Sequence, residues 1–150
     1  MRAYHFLPEK WGLESLKLGR LKLALFEDMN DPFELLGAMV LGANDHVLYS
    51  QLKAEIHSII GVFCFSRKWH NPVLWSHYAE KHRGLCLGFD IPEDWVQEVK
   101  YRRTRLRSEP ENFQPCNDKD TFGYKLLTTK FRHWEYEDEA CRKTRGRPKK

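Results

Sequence analysis

Residues 64–90, CFSRKWHNPVLWSHYAEKHRGLCLGFD, contain the clearest local signals for the fold of this chain. They begin within an apolar run that is typical of a strand buried on both faces. Asn71 is a favourable helix N-cap, and Pro72 suits the first helical position, where no backbone donor is needed. Gly84 is typical of a helix end, and the alternation over 85–89 indicates a second strand. The stretch therefore predicts a strand, a helix and a strand in that order.

Hydrophobic periodicity elsewhere predicts a single compact α+β domain with a mixed β-sheet flanked by short helices. At 150 residues, with 41% hydrophobic and 31% charged residues, the chain is long enough to bury a core and resembles soluble proteins in composition. The expected strands cover 2–7, 21–26 and 97–107, and the expected helices cover 9–17, 33–41, about 44–57 and about 118–129. No apolar run could span a bilayer and no signal-peptide pattern begins the chain, so a cytoplasmic location without membrane contact is expected.

The segment 64–90 is also rich in side chains that suit a binding site. We expect five of them to contact a ligand: Ser66, Trp75, His77, Tyr78 and His82. His77 and His82 are five residues apart, which turns them about 140° from each other on a helix, so a shared metal ion is not expected. Ser66 follows the apolar strand, where its hydroxyl would face a pocket or bond to its own turn.

Six short motifs, taken together, resemble an uncharacterised bacterial family called domain of unknown function 2971. They are Tyr4-His5-Phe6, NDPFE at 30–34, CFS at 64–66, LWSHYA at 74–79, HRGLCLGFD at 82–90 and WEYE at 134–137. The match covers roughly 2–139. Compared with the family pattern the chain is shortened between NDPFE and CFS, and again after WEYE. The resemblance implies a family without an assigned activity.

The order of three polar residues resembles the His-Tyr-Glu arrangement of ADP-ribosyltransferases. His5 lies on the first strand, Tyr78 near the central strand–helix joint, and Glu137 near the end, with Glu135 as a substitute. In that interpretation His5 and Tyr78 bind an NAD-type nucleotide, and the glutamate stabilises the oxocarbenium-like centre. The alternative is that the aromatic residues belong to the core and that Glu137 pairs with Arg132 or Arg142.

Positive charge is concentrated at the C-terminus. The net charge is +4, but residues 141–150 carry six positive and no negative charges, so the rest of the chain has a net charge of −2. We therefore predict a globular domain over 1–139 and a basic, flexible tail over 140–150. Its Arg-Gly-Arg-Pro core resembles an AT-hook, which would enter the minor groove of A·T-rich DNA. The residues expected to contact DNA are Arg145, Arg147, Lys149 and Lys150.

Cysteine spacing predicts neither a zinc site nor a disulfide framework. The four cysteines stand at 64, 86, 116 and 141, and none forms a Cys-x-x-Cys pair. The leading functional hypothesis is a nucleotide or NAD-type pocket without a metal, possessing ADP-ribosyltransferase-like activity. The alternatives are a non-catalytic DNA-associated module that works through its tail, and a shortened accessory protein without activity.

Overall fold

The computed structural model of the chain describes residues 1–25, 38, 39, 47, 50, 51, 54, 60–107 and 122–145. Among these residues it shows an antiparallel central sheet, two small parallel strand pairs and short helices. The predicted α+β class with a mixed sheet and short helices is therefore confirmed. No helix in the described part of the chain has the length and apolar character needed to cross a membrane.

The central sheet has the strand order β5-β1-β4-β10-β6, and β2 pairs with β4 beside β1. These strands are β1 (Arg2–Leu7), β2 (Ala24–Leu25), β4 (Ile60–Ser66), β5 (Leu85–Asp90), β6 (Gln97–Glu98) and β10 (Glu139–Arg145). Every pairing within this sheet is antiparallel. The smaller pairs are parallel: β3 (Ala38–Met39) with β8 (Leu106–Arg107), and β7 (Lys100–Arg102) with β9 (Thr129–Phe131).

Three α-helices are described: α1 (Glu9–Leu18), α2 (Pro72–Tyr78) and α3 (Phe122–Leu127). The prediction for α2 is confirmed at its start, where the Val73 amide donates to the Asn71 side-chain oxygen at 3.0 Å. The helix ends earlier than Gly84, because residues 80–82 all have positive φ and form a turn. Gly84 follows that turn, where a Cβ atom would lie 2.1 Å from the Leu7 carbonyl oxygen. Glycine is needed there for close approach of β1 rather than for a helix cap.

Strand β10 corrects the predicted domain boundary at residue 139. Residues 139–145 pair with β4 along its whole length, from Glu139 opposite Ser66 to Arg145 opposite Ile60. Ala140 and Cys141 are buried in the core. The predicted flexible tail over 140–150 therefore begins at least six residues too early, because cross-strand pairing stabilises a segment whose own sequence is mostly polar. Residues 146–150 lie outside the described part of the chain.

Two other predicted elements differ from the structure. The expected helix over 33–41 contains β3 instead, and the expected strand over 97–107 is divided into β6, β7 and β8. Of the expected helix at 44–57, only isolated residues lie in the described part.

Two small buried clusters pack on either side of β1. One contains Ala3, Phe65, Val96 and Ala140, and the other contains Phe6, Leu74 and Ala79.

The position of β10 predicts how truncation changes stability. A chain ending at Cys141 loses the four strand residues that face residues 60–63 of β4, whereas a chain ending at Arg145 keeps the strand. We expect the chain ending at Cys141 to melt at a lower temperature, measured by circular dichroism, because β4 loses a backbone partner. Equal melting temperatures for the two truncated chains would contradict this account of the domain boundary.

Candidate ligand-binding pocket

A cavity of about 380 Å³ lies where β1 and β4 diverge. The two strands share one register pair, Tyr4 opposite Ser66, while β2 pairs with the other end of β4 at Gly61 and Val62. Residues from β1, α1, β2, β4, α2, β9, β10 and the 3₁₀ segment Arg132–Glu137 line the cavity. The backbone topology therefore collects side chains from distant parts of the sequence around one space.

His5 bridges the gap between the two strands. Its Nδ1 lies 2.7 Å from the Cys64 carbonyl oxygen. Because a carbonyl oxygen can only accept, Nδ1 carries the proton in this contact. Burial lowers the pKa of His5, although the bond to Cys64 opposes the shift, so the neutral ring is favoured. Neutral His5 then has an acceptor at Nε2, on a ring that lines the cavity.

Glu137 receives two hydrogen bonds at the cavity wall. The Tyr78 hydroxyl donates to Oε1, and Lys130 Nζ donates to Oε2 at 2.9 Å. Burial raises the pKa of Glu137, the Lys130 ammonium opposes this shift, and the nearby Glu139 carboxylate adds to it. Burial, followed by the charge of Glu137, also raises the pKa of Tyr78, which therefore stays a hydroxyl donor. Glu137 is thus a fixed carboxyl group that both of its partners orient.

Lys130 joins two buried carboxylates. Its Nζ lies 2.9 Å from Glu137 Oε2 and 2.6 Å from Glu139 Oε2, and the three side chains are 8%, 5% and 4% exposed. Burial alone would raise the pKa of Glu139, but the Lys130 ammonium and hydrogen bonds from thiols hold it below its usual value. The Lys130 ammonium therefore offsets one of the two carboxylate charges and pairs with both groups, so neither carboxylate is buried without a cation.

Ser66 ties the strand end to the segment that carries Glu137. Its hydroxyl donates to the Glu137 carbonyl oxygen at 2.6 Å and accepts from the Lys68 amide at 3.0 Å. Ser66 lines the cavity, and the second bond is the turn contact expected from sequence. Its clearest role is to position the Glu137 backbone.

The structure brings together five of the eight residues proposed from sequence for the catalytic and ligand-binding site. His5, Ser66, His77, Tyr78 and Glu137 all line the cavity. His77 is the most open of them, and its ring stacks on Tyr136 with centroids 6.5 Å apart.

The other three lie outside the cavity lining. Trp75 donates its indole N–H to the Trp69 carbonyl oxygen at 2.6 Å, and its ring packs edge-on against Phe6. His82 is exposed in the positive-φ turn. Glu135 is exposed and pairs with Arg132 at 3.3 Å, so it does not substitute for Glu137.

The residues predicted to bind DNA are mostly beyond the described chain. Arg145 is the last residue of β10, while Arg147, Lys149 and Lys150 follow the last described residue. The hypothesis of DNA binding therefore stays a prediction from the sequence.

Sequence reasoning missed Lys130, Glu139 and the pairing of two cysteines. Cys64 and Cys141 are register partners on β4 and β10, and with Glu139 they place one sulfur or oxygen atom each within 4.8 Å of one another. The hydrogen bond with Cys141 and burial raise the pKa of the Cys64 thiol well above its usual value. The available signal was the two-residue spacing of Glu139 and Cys141, which places both on one face of an extended segment.

Comparisons with known proteins leave the family open. No family model matches the chain, and neither a curated protein nor a solved structure matches it. The resemblance to domain of unknown function 2971 therefore remains a prediction from the motifs quoted above.

The buried ion pairs predict an asymmetric response to two lysine substitutions. Lys130→Ala leaves two buried carboxylates without their cation and should cost roughly 3–5 kcal/mol in the free energy of unfolding. Lys125→Ala removes an exposed charge on α3 and should change this free energy by less than about 0.5 kcal/mol. Urea unfolding followed by fluorescence measures both values. A similar small effect for both variants would contradict the structural role of Lys130.

Proposed function

We propose that the cavity binds the nicotinamide–ribose part of an NAD-type nucleotide and that the protein cleaves the bond between them. The observation that carries this proposal is the convergence of His5, Tyr78 and Glu137 on one cavity. These residues come from β1, α2 and the 3₁₀ segment, and are separated by more than fifty residues at each step. They are the three groups that the ADP-ribosyltransferase hypothesis requires.

The lining and volume of the cavity support a ligand with a flat ring and a polar end. Phe6, Trp11 and Phe65 supply aromatic surface, which suits a planar amide-bearing ring. Glu137 and Tyr78 supply hydrogen-bonding groups on the same lining. The volume is near the lower end of the range of about 300–1,000 Å³ for small-molecule pockets. A mononucleotide-sized part of the ligand therefore fits this description better than a whole dinucleotide.

The chemistry assigned to Glu137 follows from its fixed position and its burial. As the carbon–nitrogen bond breaks, its electron pair leaves with nicotinamide and the ribose develops an oxocarbenium-like positive charge. A preoriented carboxylate stabilises such a charge more strongly in a buried site than in water. The acceptor oxygen, from water or another hydroxyl, then bonds to the ribose carbon and its proton passes to Glu137. Tyr78 and Lys130 position the carboxylate throughout.

His5 has a binding role in this proposal. Neutral His5 uses its Nδ1 proton for the Cys64 carbonyl oxygen, so Nε2 can accept a hydrogen bond from a ribose hydroxyl. The bond to Cys64 also fixes the orientation of the ring. His5 therefore recognises the sugar without taking part in proton transfer.

Two glutamine variants distinguish the catalytic role of Glu137 from the effect of losing a nearby surface charge at Glu135. Glu137→Gln keeps the side-chain volume but removes the negative charge, and we expect it to reduce nicotinamide release from NAD by roughly 100-fold or more. Glu135→Gln changes an exposed side chain outside the cavity and should leave the rate unchanged. Chromatographic measurement of released nicotinamide determines both rates.

The glutamine variant is preferred to alanine because Glu137 is buried beside Lys130. Alanine would remove a partner of that ammonium and lower stability as well as activity. Circular dichroism melting of both glutamine variants provides the folding control. Equal nicotinamide release by the parent and Glu137→Gln, or no release by the parent, would refute the proposed activity.

A further inference from the structure

Cys64 and Cys141 face each other across β4 and β10. The Arg67 amide donates to the Asp138 carbonyl oxygen at 3.0 Å, next to the register pair of Ser66 and Glu139. Hydrogen-bonded and non-hydrogen-bonded pairs alternate along an antiparallel ladder, so Cys64 and Cys141 form a non-hydrogen-bonded pair. Facing side chains lie closest at such positions. The two thiols are therefore neighbours because of strand register, whatever their separation in sequence.

Glu139 adds an oxygen atom to this pair. It lies two residues before Cys141, on the same face of β10, and the Cys141 thiol donates to Glu139 Oε1 at 3.3 Å. Sγ of both cysteines and one carboxylate oxygen of Glu139 lie within 4.8 Å of one another. Cys141 and Glu139 are buried, and Cys64 is partly buried. Three potential metal ligands thus converge on a small volume.

The two oxygens of Glu139 are engaged on different sides. Oε2 lies 2.6 Å from Lys130 Nζ, whereas Oε1 faces the Cys141 thiol. The carboxylate can therefore bind an ion through Oε1 while Oε2 stays with Lys130. A hydrogen-bonding or ionic partner behind a metal ligand fixes its orientation, as is usual in metalloproteins.

We propose that Cys64, Cys141 and Glu139 form a binding site for a zinc-type divalent transition metal. Two thiolates and a carboxylate are a donor set that suits zinc, and three protein ligands leave a fourth tetrahedral position open. Cys64 and Glu139 line the cavity, which supplies an entry path for the ion and space for water at the open position. The site differs from the nucleotide site in its ligands, and binding of metal does not depend on NAD turnover.

The charges and protons of this site balance. On binding, each thiol releases one proton to solvent and forms one sulfur–metal bond, so a divalent ion displaces two protons. The two positive charges of the ion replace those of the two released protons, while Lys130 stays paired with Glu137 and Glu139. The buried environment therefore gains no net charge from a loaded site.

Cobalt(II) tests the proposal because thiolate ligation gives it an intense near-ultraviolet charge-transfer absorption. Reduced full-length protein is titrated with cobalt(II) without oxygen, and zinc is then added. We expect the absorption to saturate at one cobalt ion per chain and to disappear when zinc displaces it. Cys64→Ser and Cys141→Ser should each lose most of the absorption. Glu139→Gln should weaken cobalt binding at least tenfold.

Cys86→Ser is the matched control. Cys86 lies on β5, opposite Phe6, and is not part of the group of three ligands. This variant should retain the cobalt absorption, and circular dichroism confirms folding of every variant. Absorption that survives in both Cys64→Ser and Cys141→Ser would overturn the proposal. The absence of thiolate absorption in the reduced parent protein would also overturn it. This holds equally if thiol titration of the unreduced protein shows a disulfide between Cys64 and Cys141.

Discussion

The buried Lys130 ammonium, held between Glu137 and Glu139, is the interaction on which the candidate site depends. A cation with 8% side-chain exposure is costly to bury unless anionic groups surround it. Lys130 comes from β9, Glu137 from the 3₁₀ segment and Glu139 from the start of β10. The attraction between the Lys130 ammonium and the two carboxylates therefore holds together β9, the 3₁₀ segment and the start of β10, where the chain enters the central sheet. The same lysine orients one carboxylate for the nucleotide proposal and the other for the metal proposal.

The second constraint is the divergence of β1 from β4. Because β1 meets β4 at one register pair, the Cys64 carbonyl oxygen is satisfied by the His5 side chain. The His5 side chain thus supplies the hydrogen-bond partner of a strand carbonyl, and its ring lines the cavity. Burial lowers the pKa of His5 and so favours the neutral ring, which has an acceptor at Nε2.

The sequence predicted those helices and strands whose formation depends on neighbouring residues, such as a helix cap or an apolar run. The Asn71 cap and Pro72 gave the start of α2, a continuous apolar run gave β4, and apolar alternation gave β5. The hypothesis built on the order of His5, Tyr78 and Glu137 grouped three residues that line one cavity. Trp75 lies outside the cavity lining, and its indole N–H is bonded to the Trp69 carbonyl oxygen, a packing role that aromatic residues serve as readily as ligand binding.

Non-local pairing explains what the sequence did not predict. Residues 140–145 are mostly polar, and only the ladder with β4 makes them a central strand. Cys64 and Cys141 are far apart in sequence, so the absence of a Cys-x-x-Cys motif carried no information about their meeting across two strands. Glu137 and Glu139 follow Lys130 by seven and nine residues, a spacing that does not by itself indicate an ion pair. Each of these features depends on strand register, which only the assembled sheet defines.

The central claim is that the cavity recognises the nicotinamide–ribose half of NAD. Thermal-shift titration with nicotinamide mononucleotide and with AMP tests it directly, because these ligands are the two halves of the dinucleotide. A ligand at one hundred times its dissociation constant adds about 2.7 kcal/mol, which corresponds to a rise of roughly 5–10 °C for a chain of this size. The account predicts this rise with nicotinamide mononucleotide and a much smaller one with AMP. A rise with AMP alone, or none with either half, would contradict it.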